Sequence, residues 1–254
     1  IALSLVGSEM CIRDSLMAWA SGAKYFFVGT PKSDYTWTSG PRYAWSDYYH
    51  RLKGTEWDPW ECWLMRSERC MMVSVRDKIT VRGLRNHGVK ALSLGNPMMD
   101  GISRKECPNN LKKYRRLILL CGSRLPEAYE NFQKLLIAIQ PIQISSSISV
   151  LVPLSSSSMR KKIGWILRDS GFKPAKDLTG ENGISETWEK DSLLVIIGFK
   201  QFSYWAKWGE VGVANAGTAT EQLVGLGIPC ISLPGKAHQF NFNFAKRQSR
   251  LLGC

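Results

Sequence analysis

Residues Gly212–Gly235 read GVANAGTATEQLVGLGIPCISLPG, and the order of residue types in them decides the fold. Val211–Ala214 is a short apolar run and predicts a buried strand. Asn215-Ala216-Gly217-Thr218 is a turn of small residues. Ala219–Leu226 has helical composition, and Gly227 closes it as a C-terminal cap. Ile228–Leu233 predicts a second strand, ended by Pro234-Gly235. Strand, loop, helix and strand in this order are the unit from which parallel sheets are wound. Gly217 lets the backbone approach a ligand closely. Thr218 stands where a cap is needed, and the first free N–H groups of the helix form an anion site. A second reading, in which Gly217-Thr218 only caps a core helix, stays open.

Working outward, the same alternation recurs. Strands are expected at Tyr25–Gly29, Met71–Val75, Lys90–Leu94, Arg116–Cys121, Ile148–Val152 and Leu193–Ile197. Helices are expected at Lys78–His87, capped by Asp77 and ended by Gly88, at Pro126–Ile139, and at Met159–Ser170, ended by Gly171. Phe202–Trp208 is a short helix. Gly122-Ser123-Arg124 lies where a strand passes into a helix: the small pair allows a tight turn, and the guanidinium of Arg124 can hold a phosphate in two hydrogen bonds. Arg124 as a surface ion-pair partner of Glu127 is the plainer alternative. Trp37–Trp63 is crowded with Trp and Tyr and has no regular period. It reads as an acceptor surface, as a membrane-interface patch, or as aromatic packing under a long loop.

Composition sets the limits. The chain has 254 residues, a net charge of +13 and seven cysteines. That length supports one or two domains with a real core. No apolar run is long enough to span a bilayer. An odd cysteine count without paired spacing points to reduced thiols in a cytosol. There is no CxxC, and the three histidines lie far apart, so no metal site is expected. The basic excess suits nucleic acid, an anionic membrane surface or a phosphate-rich substrate. No nucleic-acid motif accompanies it.

The motifs, taken together, resemble a known family. VGTPKSDY at 28–35, Val75-Arg76-Asp77, GNPMMD at 95–100, GSR at 122–124, AGTATEQ at 216–222, GLGIP at 225–229 and the HQ…N segment at 238–243 follow one another as in GT-B glycosyltransferases. The likeness is greatest to lipid-A-disaccharide synthase and its cyanobacterial related family. UDP-N-acetylglucosamine 2-epimerases share a looser version. The resemblance implies an α/β fold of GT-B type, with two Rossmann-like domains facing a cleft and the first one incomplete. It implies donor contacts at Gly122, Ser123, Arg124, Ala216, Gly217, Thr218, Ala219, Thr220, Glu221, Gln222, Gln239 and Asn243. The family's ribose-binding acid falls on Gln222 here, with Glu221 one residue earlier, about 100° around the helix; either can make the contact. Asn96 replaces the family's histidine. The implied catalytic base lies upstream of this chain and is unknown.

The expected organisation follows. Residues 1–15 resemble translated sequencing-adapter read-through and are set aside. Residues 16–103 are the end of an N-terminal acceptor domain, 104–114 a linker, and 115–254 a truncated nucleotide-sugar domain. The returning segment that GT-B proteins pack on the first domain is expected to be absent. The expected function is a metal-independent, inverting, lipid-A-disaccharide-synthase-like hexosyltransferase, with this fragment inactive alone. Its partners would be a UDP-sugar donor, a lipid or glycolipid acceptor and an anionic membrane. No cofactor and no nucleic acid are expected, and the location would be cytoplasmic or peripheral on the inner membrane face. Two alternatives remain: a UDP-N-acetylglucosamine 2-epimerase-like enzyme, with His238 and Glu221 as the nearby proton-transfer groups, and a non-catalytic basic module binding lipid or nucleic acid.

Overall fold

The computed structural model describes residues 2–6, 11–30, 32–39, 45–103, 106–142, 147–175, 180, 182–233 and 248–252. Its contacts divide the chain into two units. Unit 1 comprises Ile1–Asp100 and Lys246–Cys254, and unit 2 comprises Gly101–Ala245. Both are α/β with parallel strands and are Rossmann-like.

Unit 1 runs β1 (Ala2–Val6), α1 (Cys11–Ala20), β2 (Tyr25–Gly29), α2 (Tyr35–Thr38), α3 (Trp45–Lys53), α4 (Pro59–Arg66), β3 (Cys70–Val75), α5 (Lys78–Asn86) and β4 (Ala91–Leu92). The sheet order is β1-β2-β3-β4, and every pairing is parallel. The stretch set aside as read-through thus supplies β1, which pairs Ala2 with Tyr25 and Val6 with Gly29. Asp77 caps α5 as its position predicts: its Oδ1 accepts from Thr80 N at 2.8 Å. Phe27, Val73 and Val75 from the strands meet Trp57, Met65 and Leu84 in the core. Trp57 is buried, and its ring stands edge-on to Phe27 with centroids 5.3 Å apart.

The aromatic stretch is more regular than its composition suggests. It holds α3 and α4, and α4 starts at Pro59 with Asp58 N donating to Glu61 Oε2 at 2.7 Å. Pro at the first helical position and an acid at the third are ordinary start signals.

Unit 2 runs α6 (Asn109–Lys112), β5 (Arg115–Leu120), α7 (Glu127–Ile139), β6 (Ile148–Leu154), α8 (Arg160–Asp169), β7 (Lys173–Ala175), β8 (Glu186–Lys190), β9 (Leu193–Phe199), α9 (Phe202–Trp205), β10 (Val211–Ala214), α10 (Thr218–Gly225) and β11 (Cys230–Ile231). The sheet order is β11-β10-β5-β6-β9-β8-β7. β11, β10, β5, β6 and β9 are parallel; the β7–β8 hairpin closes the far edge in antiparallel pairing. Side chains alternate between two cores. Leu117, Leu119, Val150, Val152 and Val195 pack on the α7 and α8 side, whereas Ile118, Leu120, Leu151 and Ile196 face Trp205, Trp208 and Leu223. Strands buried on both faces read as continuous apolar runs, which is why RLILL and ISVLVPL carry no polar alternation.

The helical turn at 248–252 groups with unit 1, where the sequence reading expected no returning segment. Arg250 Nη1 reaches Asp47 at 3.0 and 2.8 Å, and Ser39 Oγ donates to Arg250 O at 2.9 Å. Among the described residues, no helix is long and apolar enough to cross a membrane.

Candidate functional site

In unit 2 the site is set by which strands are neighbours. β10 lies beside β5 in parallel register, with Val211 opposite Leu117 and Ala214 opposite Leu120. Their following loops, Gly122–Arg124 and Asn215–Thr218, therefore leave the same edge of one sheet, side by side. That is the carboxyl edge, where open α/β sheets bind ligands. β6 is next to β5, so Ser155–Ser158 emerges there too.

Asn215 locks the two loops together. It is buried, and its backbone N donates to Leu120 O at 2.7 Å. Its Oδ1 accepts from Leu233 N at 3.1 Å, and its Nδ2 reaches Asn131 Oδ1 at 3.4 Å. Asn131, buried on α7, in turn donates to Cys121 O at 3.2 Å. The ends of β5, β10 and β11 and helix α7 are thus joined by two buried amides. Neither was among the expected site residues. The signal was present: an Asn directly after the apolar VGVA, and an Asn on the apolar side of a helix, are polar groups that burial must satisfy. Gly122 completes the turn at φ +88°, and a Cβ there would stand 3.2 Å from Asn215 O. Only glycine takes both that backbone region and that approach without strain.

Helix α10 differs in one detail from its sequence reading. Gly217 is the N-cap, and Thr218 is the first helical residue rather than the cap; among the described residues no side-chain cap bond is made at this end. Thr220 N donates to Gly217 O at 3.1 Å, so the amides that this end can turn to an anion are those of Thr218 and Ala219. Thr220 is buried, and its hydroxyl donates to Ala216 O at 2.5 Å, so it braces the turn from inside. Ala216 is buried, and Ala219 packs against the same core. Gly217, Glu221 and Gln222 are half-buried, and Thr218, Ser123 and Arg124 are exposed. Among the described residues Arg124 forms no ion pair, with Glu127 or any other acid. At the other end, Gly227 N donates to Val224 O at 2.9 Å and Ile228 N to Leu223 O at 3.1 Å, the closing pair of a Schellman motif. Gln239, Asn243 and His238 lie outside the described residues.

In unit 1 the resembling motifs also share an edge. The loops after β2, β3 and β4 carry Thr30–Tyr35, Arg76-Asp77 and Gly95–Asp100, and the three strands are parallel neighbours. The first two are knotted. Ser33 Oγ donates to Asp77 Oδ2 at 2.6 Å, and Asp34 N donates to Thr80 Oγ1 at 2.9 Å. Asp34 Oδ1 accepts from Glu56 N at 2.7 Å, Thr55 Oγ1 at 3.2 Å and Trp37 Nε1 at 3.3 Å. Asp34 is fully buried, its Oδ2 has no hydrogen-bond partner, and burial pushes its carboxyl up to about 6. The VGTPKSDY and VRD motifs are therefore one structural knot, with Asp34 at its centre. Asn96 accepts from Met98 N at 3.2 Å and starts a tight turn at Pro97. Among the described residues, no group of three His, Cys, Asp or Glu could hold a metal ion.

No protein-family model matches the chain, and no curated protein sequence matches it. Solved structures do. The chain is similar to the S. aureus MnaA–UDP co-structure at 11% identity and TM-score 0.43, over 99% of this chain and 70% of that one. It is similar to the Methanocaldococcus jannaschii UDP-GlcNAc 2-epimerase in complex with UDP-GlcNAc and UDP at 12% identity and TM-score 0.37, over 96% and 72%. A second structure of that archaeal epimerase matches at 12% identity and TM-score 0.37, over 97% and 76%. The two archaeal structures are of a UDP-GlcNAc 2-epimerase, and none of the three is named as a lipid-A-disaccharide synthase. The expectation of a lipid-A-disaccharide-synthase-like hexosyltransferase with a lipid or glycolipid acceptor is corrected by that finding.

Proposed function

We propose that unit 2 binds a UDP-sugar and that the protein is a UDP-N-acetylglucosamine 2-epimerase-like enzyme. One observation carries the binding half of this reading: Gly122–Arg124 and the amide end of α10 emerge side by side from β5 and β10, fixed by the buried Asn215. A diphosphate needs positive charge and N–H donors converging from a rigid frame. The α10 terminus supplies donors and partial positive charge, and Arg124 supplies a full charge in a planar fork. Helix α7 contributes less, because two acids, Glu127 and Glu130, offset its N-terminal end, against the single Glu221 in the first turn of α10. Donors of this kind neutralise a diphosphate without a metal, in keeping with the absence of a DxD motif. The ribose contact falls to Gln222 or Glu221. Glu221, in the first turn of α10, and His238 are the groups for proton transfer at the sugar.

Two measurements test the two halves. Arg124→Ala should weaken UDP binding by about 1.5–3 kcal/mol, the scale of a charge-assisted hydrogen bond, and leave uridine binding nearly unchanged. Equal losses for both ligands would remove Arg124 from the phosphate site. Incubation with UDP-N-acetylglucosamine and no acceptor should yield the epimeric sugar nucleotide, followed by NMR. An unaltered sugar alongside normal UDP binding would leave a nucleotide-sugar binder without epimerase chemistry.

A further inference from the structure

Helix α3 presents its apolar stripe to solvent. Trp45, Tyr48, Tyr49 and Leu52 stand at i, i+3, i+4 and i+7, one face of a helix, and are 92%, 54%, 52% and 88% exposed. A surface helix ordinarily turns such a stripe to the core. This one is held by its polar side instead: buried Asp47 pairs with Arg250, and Lys53 pairs with Asp58. Trp45 and Tyr48 lie 6.3 Å apart as one tilted pair, and the Lys53 ammonium sits 4.3 Å over the Tyr49 ring. The only acid on the helix is thus turned inward, and the basic residues His50, Arg51 and Lys53 lie in its last turn, with Lys53 paired to Asp58.

We propose that this face of α3 docks on an anionic phospholipid bilayer. Indole and phenol rings combine an apolar body with a polar tip and settle at the headgroup level. Leu52 supplies the deeper anchor, and the half-buried Arg51 beside it, with a chain charge of +13, favours anionic lipid. At nine residues the helix is too short to span a membrane, and its geometry is that of one lying in the interface plane. Size argues against a protein partner. Four such side chains offer on the order of 600 Å², at 150–250 Å² per aromatic side chain, whereas a stable protein–protein interface buries about 800 Å² on each side. A fluid bilayer sets no such threshold, because lipid fills around whatever enters.

The test uses the full chain and vesicles of phosphatidylcholine, with and without about 30 mol% phosphatidylglycerol. The chain should pellet with the anionic vesicles, and brominated acyl chains should quench its tryptophan emission more than that of Trp45→Phe. The double variant Trp45→Ser/Leu52→Ser should bind on the order of tenfold more weakly, with its unfolding midpoint and UDP response unchanged. Equal pelleting of variant and parent would assign binding to diffuse charge and overturn the proposal. So would failure of the parent to pellet. A dimer seen by sedimentation velocity in the parent and lost in the variant would give the face to a second copy of the chain, and would likewise overturn it.

Discussion

Asp34 is a carboxyl group wholly removed from water. Burial raises its carboxyl from the ordinary 3.8 to about 6, over the opposing hydrogen bonds from Glu56 N, Trp37 and Thr55, and the charge of Glu56 adds to the rise. Between those two values the folded chain keeps a proton that the unfolded chain has lost. The stability gained from Asp34 is therefore complete below about pH 4 and disappears as pH rises through about 6. That rise corresponds to roughly 3 kcal/mol at most. Asp34→Asn keeps an acceptor for Glu56 N and removes the charge, so the variant should exceed the parent in stability at pH 8 by about 2 kcal/mol and lose that lead by pH 4.5. Urea unfolding across the pH range measures this, and a constant difference between the two proteins would show that Asp34 is ionised throughout. Gly83 holds the same carboxylate in place from α5: a Cβ there would run into Asp34 Oδ2 and stand 2.8 Å from Gly54 O.

At the scale of elements, Asn215 decides whether the two loops of unit 2 stay in register. Asn215→Ala would leave Leu233 N and Asn131 short of their partners, at a cost of about 1–3 kcal/mol. UDP affinity should fall with stability, whereas Thr218→Ala at the exposed start of α10 should change stability by only a few tenths; calorimetry and urea titration separate the two. Elements whose ends are punctuated were legible from sequence. Asp77, Gly88, Gly171 and Gly227 mark helix boundaries to within a residue or two, and the doubly buried strands stand out as apolar runs. Three of the features that escaped have a plain physical reason. Helix α3 was hidden because its apolar period is real but sits among other tryptophans and faces outward. The β7–β8 hairpin was hidden because Pro174 and the polar ETWEK run look unlike a strand, which an edge position tolerates. The loops of the site were legible as Gly-Ser-Arg and Ala-Gly-Thr, but the buried amides that align them were not, since their partners are 10 and 84 residues away.

For the whole molecule, the expectation of alternating α/β units holds, and the transferase activity attached to it does not. A fold is shared across chemistries, and only the site separates them. Among the described residues Cys62, Cys70, Cys107, Cys121 and Cys230 are free thiols. Burial pushes Cys121 up to about 12, and Cys70 and Cys230 to about 11, which leaves them poor nucleophiles. Unit 1 is assembled from both ends of the chain, so deletion of residues 246–254 should strike it selectively. The cut leaves the buried Asp47 without Arg250, a loss of about 3–5 kcal/mol for one partner of a buried pair. Hydrogen exchange should then quicken in β2 and β3 and stay unchanged in β5 and β6. Uniform quickening would mean that the two units unfold as one.

The Asp47–Arg250 pair also has a meaning in time. The two residues are 203 positions apart, with all of unit 2 between them. A ribosome adding about 5–20 residues per second delivers Arg250 on the order of 10–40 s after Asp47. Through that interval unit 1 carries a carboxylate whose counter-charge does not yet exist, whereas unit 2 has every residue of its own sheet once Ile231 is made, 19 residues before Arg250. The nascent chain is therefore expected to mature from the middle outward. Unit 1, although most of it is made before unit 2, would be the later of the two to lock, and would depend longer on chaperones.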